Sequence, residues 1–437
     1  MTLRICKWLF LLLIVSMPLV RPFNSFIFGL QIPYTDFIFI AVCVFWLIAL
    51  FRGEAQFKFD KFYIFLALYG FALIISTIFS VQPQKSFFKL LGEFYLFALA
   101  VLTFNLVRDK SFFKQIVFAW LVGTGLTILA SLSGFALFYL GYKTQTDNYF
   151  LSHFGSLPAG NYPRIHALFA NANMMCNFLN VSLLLAVLAE KADWLNKPLA
   201  RILQIGIWFA AVFTFSAGLG GMILSLGIWF WALFKENKKP LLSKLSIAAA
   251  FIFAVIVFGS TLVSPDTNNT TQEFTAPFSD KKLEASVRVL VWENAFENFR
   301  EFPYVGRGTG TNTASMQYRT LSGDNQLLLD AHNVWLNILG QTGLLGIVTF
   351  ISLTLYLITR CRFKFNELDE QNLIHLALSC AFVGAFLYQG LSGSFEDARH
   401  LWILFGLLVG SKSFEPRLYA AFLTPRQVKS LHYGLFI

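Results

Sequence analysis

His332 and Asn333 stand where the long hydrophilic stretch of the chain gives way to an apolar run, in LLLDAHNVWLNILGQTGLLG from Leu327 to Gly346. A free imidazole titrates near ~6.5, so a histidine here can take a proton from a hydroxyl at neutral pH, or it can simply cap the apolar segment. Asp330 could act as the cap instead. Arg288 lies upstream in SVRVLVWENAFENFREFP, residues 286–303. It is suited either to an anionic ligand or to anchoring a helix at an interface. Arg164, Asn171 and Asn173 share RIHALFANANMM at the entrance to another apolar run. Polar groups at membrane depth need protein or a water-filled cavity around them; a helix cap with a snorkelling arginine is the plainer reading. In FPYVGRGTGTN, Phe302 to Asn312, Gly306, Gly308 and Gly310 flank Arg307. Glycines so spaced let backbone N–H groups converge on an anion, as in phosphate-binding nests.

Taken together, these residues suit one kind of reaction. Two arginines can grip a diphosphate through forked, charge-assisted hydrogen bonds, and a histidine can accept the proton of an attacking hydroxyl. No Asp-x-Asp pair accompanies them to hold a divalent cation. The pattern therefore points to metal-free displacement of a diphosphate-linked group, with no cofactor.

The elements that must hold these residues follow from composition. Of 437 residues, 56% are hydrophobic and 13% charged, against roughly 25% charged in a soluble domain; mean hydropathy is +0.61. Apolar runs recur nearly end to end and predict an all-α, polytopic membrane protein. About 12 spans of bilayer length fit, near 8–28, 34–51, 62–80, 88–107, 113–141, 166–189, 202–217, 219–234, 245–263, 333–358, 373–393 and 400–411. The first run follows Arg4 and Lys7 like a signal peptide, but no A-x-A site follows, so an uncleaved helix is expected. Most of the 34 Lys and Arg fall at the N-terminus, in 52–61, 108–114, 190–201, 235–244 and 359–364, and in the C-terminal tail. The positive-inside rule then puts both termini in the cytoplasm and the four patterns above on the outer face. The net charge of +10 reflects this bias, so no nucleic-acid partner is expected. Cys6, Cys43, Cys176, Cys361 and Cys380 lie in or beside apolar spans without CxxC or Cys/His pairing, which gives neither a disulfide framework nor a zinc site.

The chain reads as one membrane domain, 1–437, with one long outer loop, 264–331, between the ninth and tenth spans. A loop of that length is expected to fold and carry function. Val287, Leu290, Val291, Ala295 and Phe299 recur at helical spacing within it, predicting an amphipathic helix on the membrane surface or over the spans, ended by Pro303. The outer connection 142–165 is also polar, and the sequons at Asn268 and Asn269 are weak signals.

Three segments resemble the O-antigen ligase superfamily, which also includes O-antigen polymerases and bacterial oligosaccharyltransferases. They are RIHALFANAN at 164–173; R-x3-W-x2-A with P-x2-G-x-G from Arg288 to Gly308; and A-H-N-x-W-L-x-I-L-x-Q-x-G-L-L-G at 331–346. SFEDARHLWILFGLL at 394–408 fits the family's closing span. The resemblance implies a glycosyltransferase of the bacterial inner membrane. Its site would face the periplasm, its donor would be a glycan on undecaprenyl diphosphate, and its acceptor lipid A–core (a ligase) or a growing glycan (a polymerase). On this reading His332 and Arg288 are catalytic, and Arg164, Arg307, Arg319, Asn173 and Asn333 bind substrate. The family's arginine after the seventh span is missing from the turn 216–221, SAGLGG; Arg307 or Arg319 could replace it. A transporter is the rival reading, but it would call for ionisable groups at mid-membrane and internal repeats, and the sequence shows neither.

Overall fold

The computed structural model describes residues 1–20, 24–27, 30–141, 151–154, 162–263, 273–275, 282–284, 286–319, 325–363, 365, 367 and 369–414. The sequons and the C-terminal tail from 415 lie outside them. The chain is mostly helical, and among the described residues the strands form four short antiparallel hairpins. Eight of the described helices are long and apolar enough to cross a membrane. They are α2 (Tyr34–Phe51), α4 (Pro83–Leu106), α5 (Lys110–Tyr139), α6 (Ala172–Lys191), α8 (Gly218–Glu236), α9 (Pro240–Ser260), α11 (Val334–Ile358) and α12 (Glu370–Ala381) with its continuation to Leu391. The other expected segments form shorter helices: α1 (Thr2–Ser16), α3 (Phe62–Ile78), α7 (Lys197–Val212) and α13 (Arg399–Gly410).

Several boundaries differ from expectation for local reasons. The first helix spans Thr2–Ser16 rather than 8–28; Pro18, which lacks an amide hydrogen, follows at once. The sixth begins at Ala172 rather than 166, because β4 (Tyr162–Ile165) precedes it and Asn171 caps it by accepting from Met174 N. The seventh begins at Lys197, where Asn196 accepts from Leu199 N and Pro198 occupies the first turn.

Packing runs from a buried centre to a lipid-facing rim. Most of α6 and α12 is buried, whereas α9 is largely exposed and apolar. Helices approach closely at small residues, as expected where no water drives association. Gly227 of α8 faces Ala250 of α9, and Gly406 of α13 lies against Ala100 and Thr103 of α4. After Ala381 the chain widens into a π-helix, Phe382–Tyr388. The Ala385 carbonyl accepts from Asn177 Nδ2 of α6 at 2.6 Å, and His400 Nε2 pairs with Asn177 Oδ1 at 2.6 Å. These polar groups inside the bundle are satisfied by one another.

The described part of the long loop packs against the start of α11 and its break. Its helix α10 (Arg288–Glu301) buries Val291 and Ala295 against a small core with Ala314, Tyr318 and Ala331. Beyond it the chain enters a break in α11, where Gly343 is non-helical (φ 62°, ψ −160°). Pro303 O and Tyr304 O accept from Leu344 N and Leu345 N, while Arg307 N and Gly308 N donate to Gly340 O and Gln341 O. The backbone groups freed by the break are thus paired with the loop, which membrane-depth backbone requires.

Candidate active site

Arg164 leaves β4 beside the turn that joins α7 to α8. Its Nε donates to Thr214 O at 2.9 Å and its Nη2 to Asn173 Oδ1 at 3.0 Å. Asn173 is therefore a partner of Arg164, while Asn171 serves as the cap of α6. The turn at 216–221 carries no arginine of its own, yet a guanidinium from a different segment donates to Thr214, two residues before it.

Arg288 opens α10. Its backbone N–H donates to Ser286 Oγ at 3.3 Å. Its Nε is buried without a hydrogen-bond partner. Burial, and then the nearby charge of Arg164, push its guanidinium down to about 10. Two cations from distant parts of the chain thus lie within electrostatic range, a strained arrangement that an anion would relieve.

His332 sits in the turn before α11 with φ of +46°, a conformation uncommon outside glycine. Asp330 enforces it, because one carboxylate oxygen takes both the His332 backbone N–H at 2.6 Å and the ring Nδ1 at 3.0 Å. The Ser394 hydroxyl donates to the same oxygen at 2.8 Å. Burial raises the Asp330 carboxyl, but the hydrogen bonds from the His332 ring, Ser394 and the His332 backbone outweigh it and hold it at about 2. An Nδ1–H fixed on a carboxylate leaves Nε2 as the acceptor, and His332 is about a third exposed, at 36%.

The turn before α11 is tied to α10. Trp292 is one turn beyond Arg288, hence on the same face, and its Nε1 donates to Ala331 O at 2.8 Å, next to His332. That bond ties the turn bearing His332 to α10, the helix that Arg288 opens. The other sequence candidates play different parts. Asn333 Oδ1 caps α11 by accepting from Trp335 N and Leu336 N, and its Nδ2 donates to Leu391 O. Arg307 is held by Asn298 at 3.1 Å, with Glu301 at 4.0 Å. The Arg319 side chain lies outside the described residues.

The glycine-rich turn corrects one expectation: it is not an anion nest. The N–H groups of residues 306, 307, 308 and 311 donate to backbone carbonyls, and Gly310 N donates to Gln341 Oε1. Its glycines are there for close approach. A Cβ on Gly306 (φ +71°) would lie 2.3 Å from the Gln341 backbone. Asp330 reads from the sequence as a possible cap, and the Asp-x-His spacing is a readable signal for its bond to the ring. Trp292 and Ser394 stand in the sequence only as members of the longer segments beginning at Arg288 and Ser394. Their bonds to Ala331 and Asp330 join segments far apart in the chain and carry no local signal.

Residues 202–351 match the family model described as O-antigen ligase. The matched stretch runs from α7 into α11 and holds the long loop, Arg288 and His332; Arg164 and α13 lie outside it. The match supports the O-antigen ligase superfamily and, with it, a glycosyltransferase-like enzyme acting on lipid-linked glycans in a multi-pass membrane setting. Comparison with curated proteins and with solved structures returns no match.

Proposed function

We propose that this multi-pass membrane protein of O-antigen ligase type moves a glycan from undecaprenyl diphosphate to an acceptor hydroxyl, most simply that of lipid A–core, at the periplasmic face of the inner membrane. The observation that carries the reading is the Asp330-held imidazole of His332 beside α10, whose Arg288 Nε is buried without a partner. In the reaction His332 Nε2 takes the acceptor proton as the acceptor oxygen bonds to the anomeric carbon. The bond from that carbon to the diphosphate oxygen breaks, and its electron pair leaves with undecaprenyl diphosphate. Attack and departure on opposite faces invert the anomeric centre. Arg288 and Arg164 stabilise the charge growing on the leaving group, the kind of preorganised electrostatics that often dominates catalysis. Because the arginines supply that charge, the step runs without a metal.

The test is transfer in liposomes carrying undecaprenyl-diphosphate oligosaccharide, with and without lipid A–core. Product on lipid A–core, reduced ~10²–10⁴-fold in His332→Ala as for loss of a general base, supports the ligase. Products lengthened by whole repeats without lipid A–core would make the protein a polymerase. Full transfer by His332→Ala would refute the base assignment. Absence of any glycosidic product with folded protein and correctly oriented donor would refute glycan transfer.

A further inference from the structure

We propose that Asn337, on the second turn of α11, is a positioning residue for His332. This inference rests on the transfer reading above. Asn337 is 1% exposed, and all four hydrogen-bonding positions of its amide are used. Oδ1 accepts from Ala331 N at 2.8 Å and from Thr313 Oγ1 at 2.8 Å. Nδ2 donates to Ser394 Oγ at 3.0 Å and to Glu396 Oε1 at 3.0 Å. One side chain therefore ties three stretches together: the turn carrying His332, the end of the glycine-rich loop, and the segment leading into α13.

Each tie bears on the imidazole. Ala331 precedes His332, and its carbonyl receives Trp292, so fixing its N–H fixes the turn between the base and the face of α10 that bears Arg288. Ser394 donates to Asp330, which holds Nδ1; Asn337 orients that hydroxyl by donating to its oxygen, leaving its proton for Asp330. Thr313 O receives Asn298 Nδ2 of α10 at 3.1 Å, so the third tie steadies the same helix from below. A left-handed, non-glycine turn persists only where its surroundings over-determine it, and Asn337 supplies much of that determination. No other residue type of this size offers two acceptor and two donor positions at once.

The test is a double-mutant cycle on the full chain in liposomes, with undecaprenyl-diphosphate oligosaccharide as probe. Asn337→Ala should lower kcat ~10–100-fold, the range for an orienting partner of a functional histidine, with a smaller change in donor KM because the charged side chains themselves are retained. Asp330→Ala already releases the imidazole, so adding Asn337→Ala to it should lower kcat by less than about threefold. Should Asn337→Ala fail to fold, Ser394→Ala, which removes a single donor, is put through the same cycle with the same expectation of non-additivity. Multiplicative losses, or an Asn337→Ala enzyme with wild-type kcat, would overturn the proposal while leaving transfer by His332 intact. Wild-type kcat in His332→Ala would instead remove the base assignment on which it stands, and absence of any glycosidic product from the folded wild type would remove the transfer reading.

Discussion

Replacing Arg288 by methionine should make the protein more stable and less active at once. Methionine keeps an unbranched apolar stem and a good helix propensity but removes the charge. The guanidinium is disfavoured in the fold, pushed down from its ordinary value to about 10 by burial and then by Arg164. At ~1.36 kcal/mol per tenfold change in equilibrium, that fall corresponds to about 3 kcal/mol. Partial exposure reduces it, leaving about 1–3 kcal/mol. The sign follows from linkage. A base whose folded value is depressed destabilises the fold in full below that value, so the penalty is whole at neutral pH and is relieved only above about 10. Arg288→Met should therefore unfold at a higher temperature than wild type in detergent. A charge-assisted hydrogen bond contributes ~1.5–3 kcal/mol; losing it from the transition state lowers kcat/KM ~10–150-fold. The assays are thermal unfolding and liposome transfer on the same preparation. A variant that melts lower, or one that transfers at the wild-type rate, would refute the account of Arg288 as a charge held ready for a diphosphate.

Further outcomes follow from the same geometry. Asp330→Ala should slow transfer ~10–100-fold while leaving the melting temperature near neutral pH almost unchanged. The stability its depressed acidity confers is present above 3.8 and lost as pH falls through about 2, and an exposure of 45% holds it below ~1 kcal/mol. Glu396 is pushed up by burial and then by Asp397, to about 8. Stability held by its neutral form should fade as pH rises from the ordinary carboxylate range through that value, and Glu396→Gln should flatten the melting profile there. Gly306→Ala forces a Cβ to 2.3 Å from the Gln341 backbone at φ +71°; a loss of roughly 3 kcal/mol or more, read by thermal unfolding, is expected. Transfer should persist in excess EDTA, and loss restored by added divalent cation would contradict the role given to the arginines.

What the sequence disclosed followed the range of the interactions involved. Apolar runs located the helical segments because a bilayer filters for them locally, and the spacing of Val287, Val291 and Ala295 disclosed α10 for the same reason. Arg164, Arg288 and His332 were recognisable because each is a costly residue at a span entrance or in the long hydrophilic loop. Arg307 and the glycines looked alike from the sequence but serve packing, since amides committed to Gly340 and Gln341 cannot be read from spacing. The bond from Ser394 to Asp330 and the four bonds of Asn337 join residues brought together by tertiary folding alone. The break at Gly343 was hidden because an isolated glycine in an apolar run looks like any small residue at a helix contact.

That break also sets the size of any exchangeable module. Between Pro303 and Gly308 the long loop supplies the hydrogen bonds that Gly340 to Leu345 would otherwise lack, and unpaired backbone in hydrocarbon costs several kcal/mol per group. A chimera that imports a foreign long loop onto this α11, or this loop onto a foreign helix, would join two halves of one hydrogen-bonded unit that no longer match. Residues 302–312 and 338–346 should therefore be transplanted together, as parts of one cassette, whenever specificity is to be moved between such proteins.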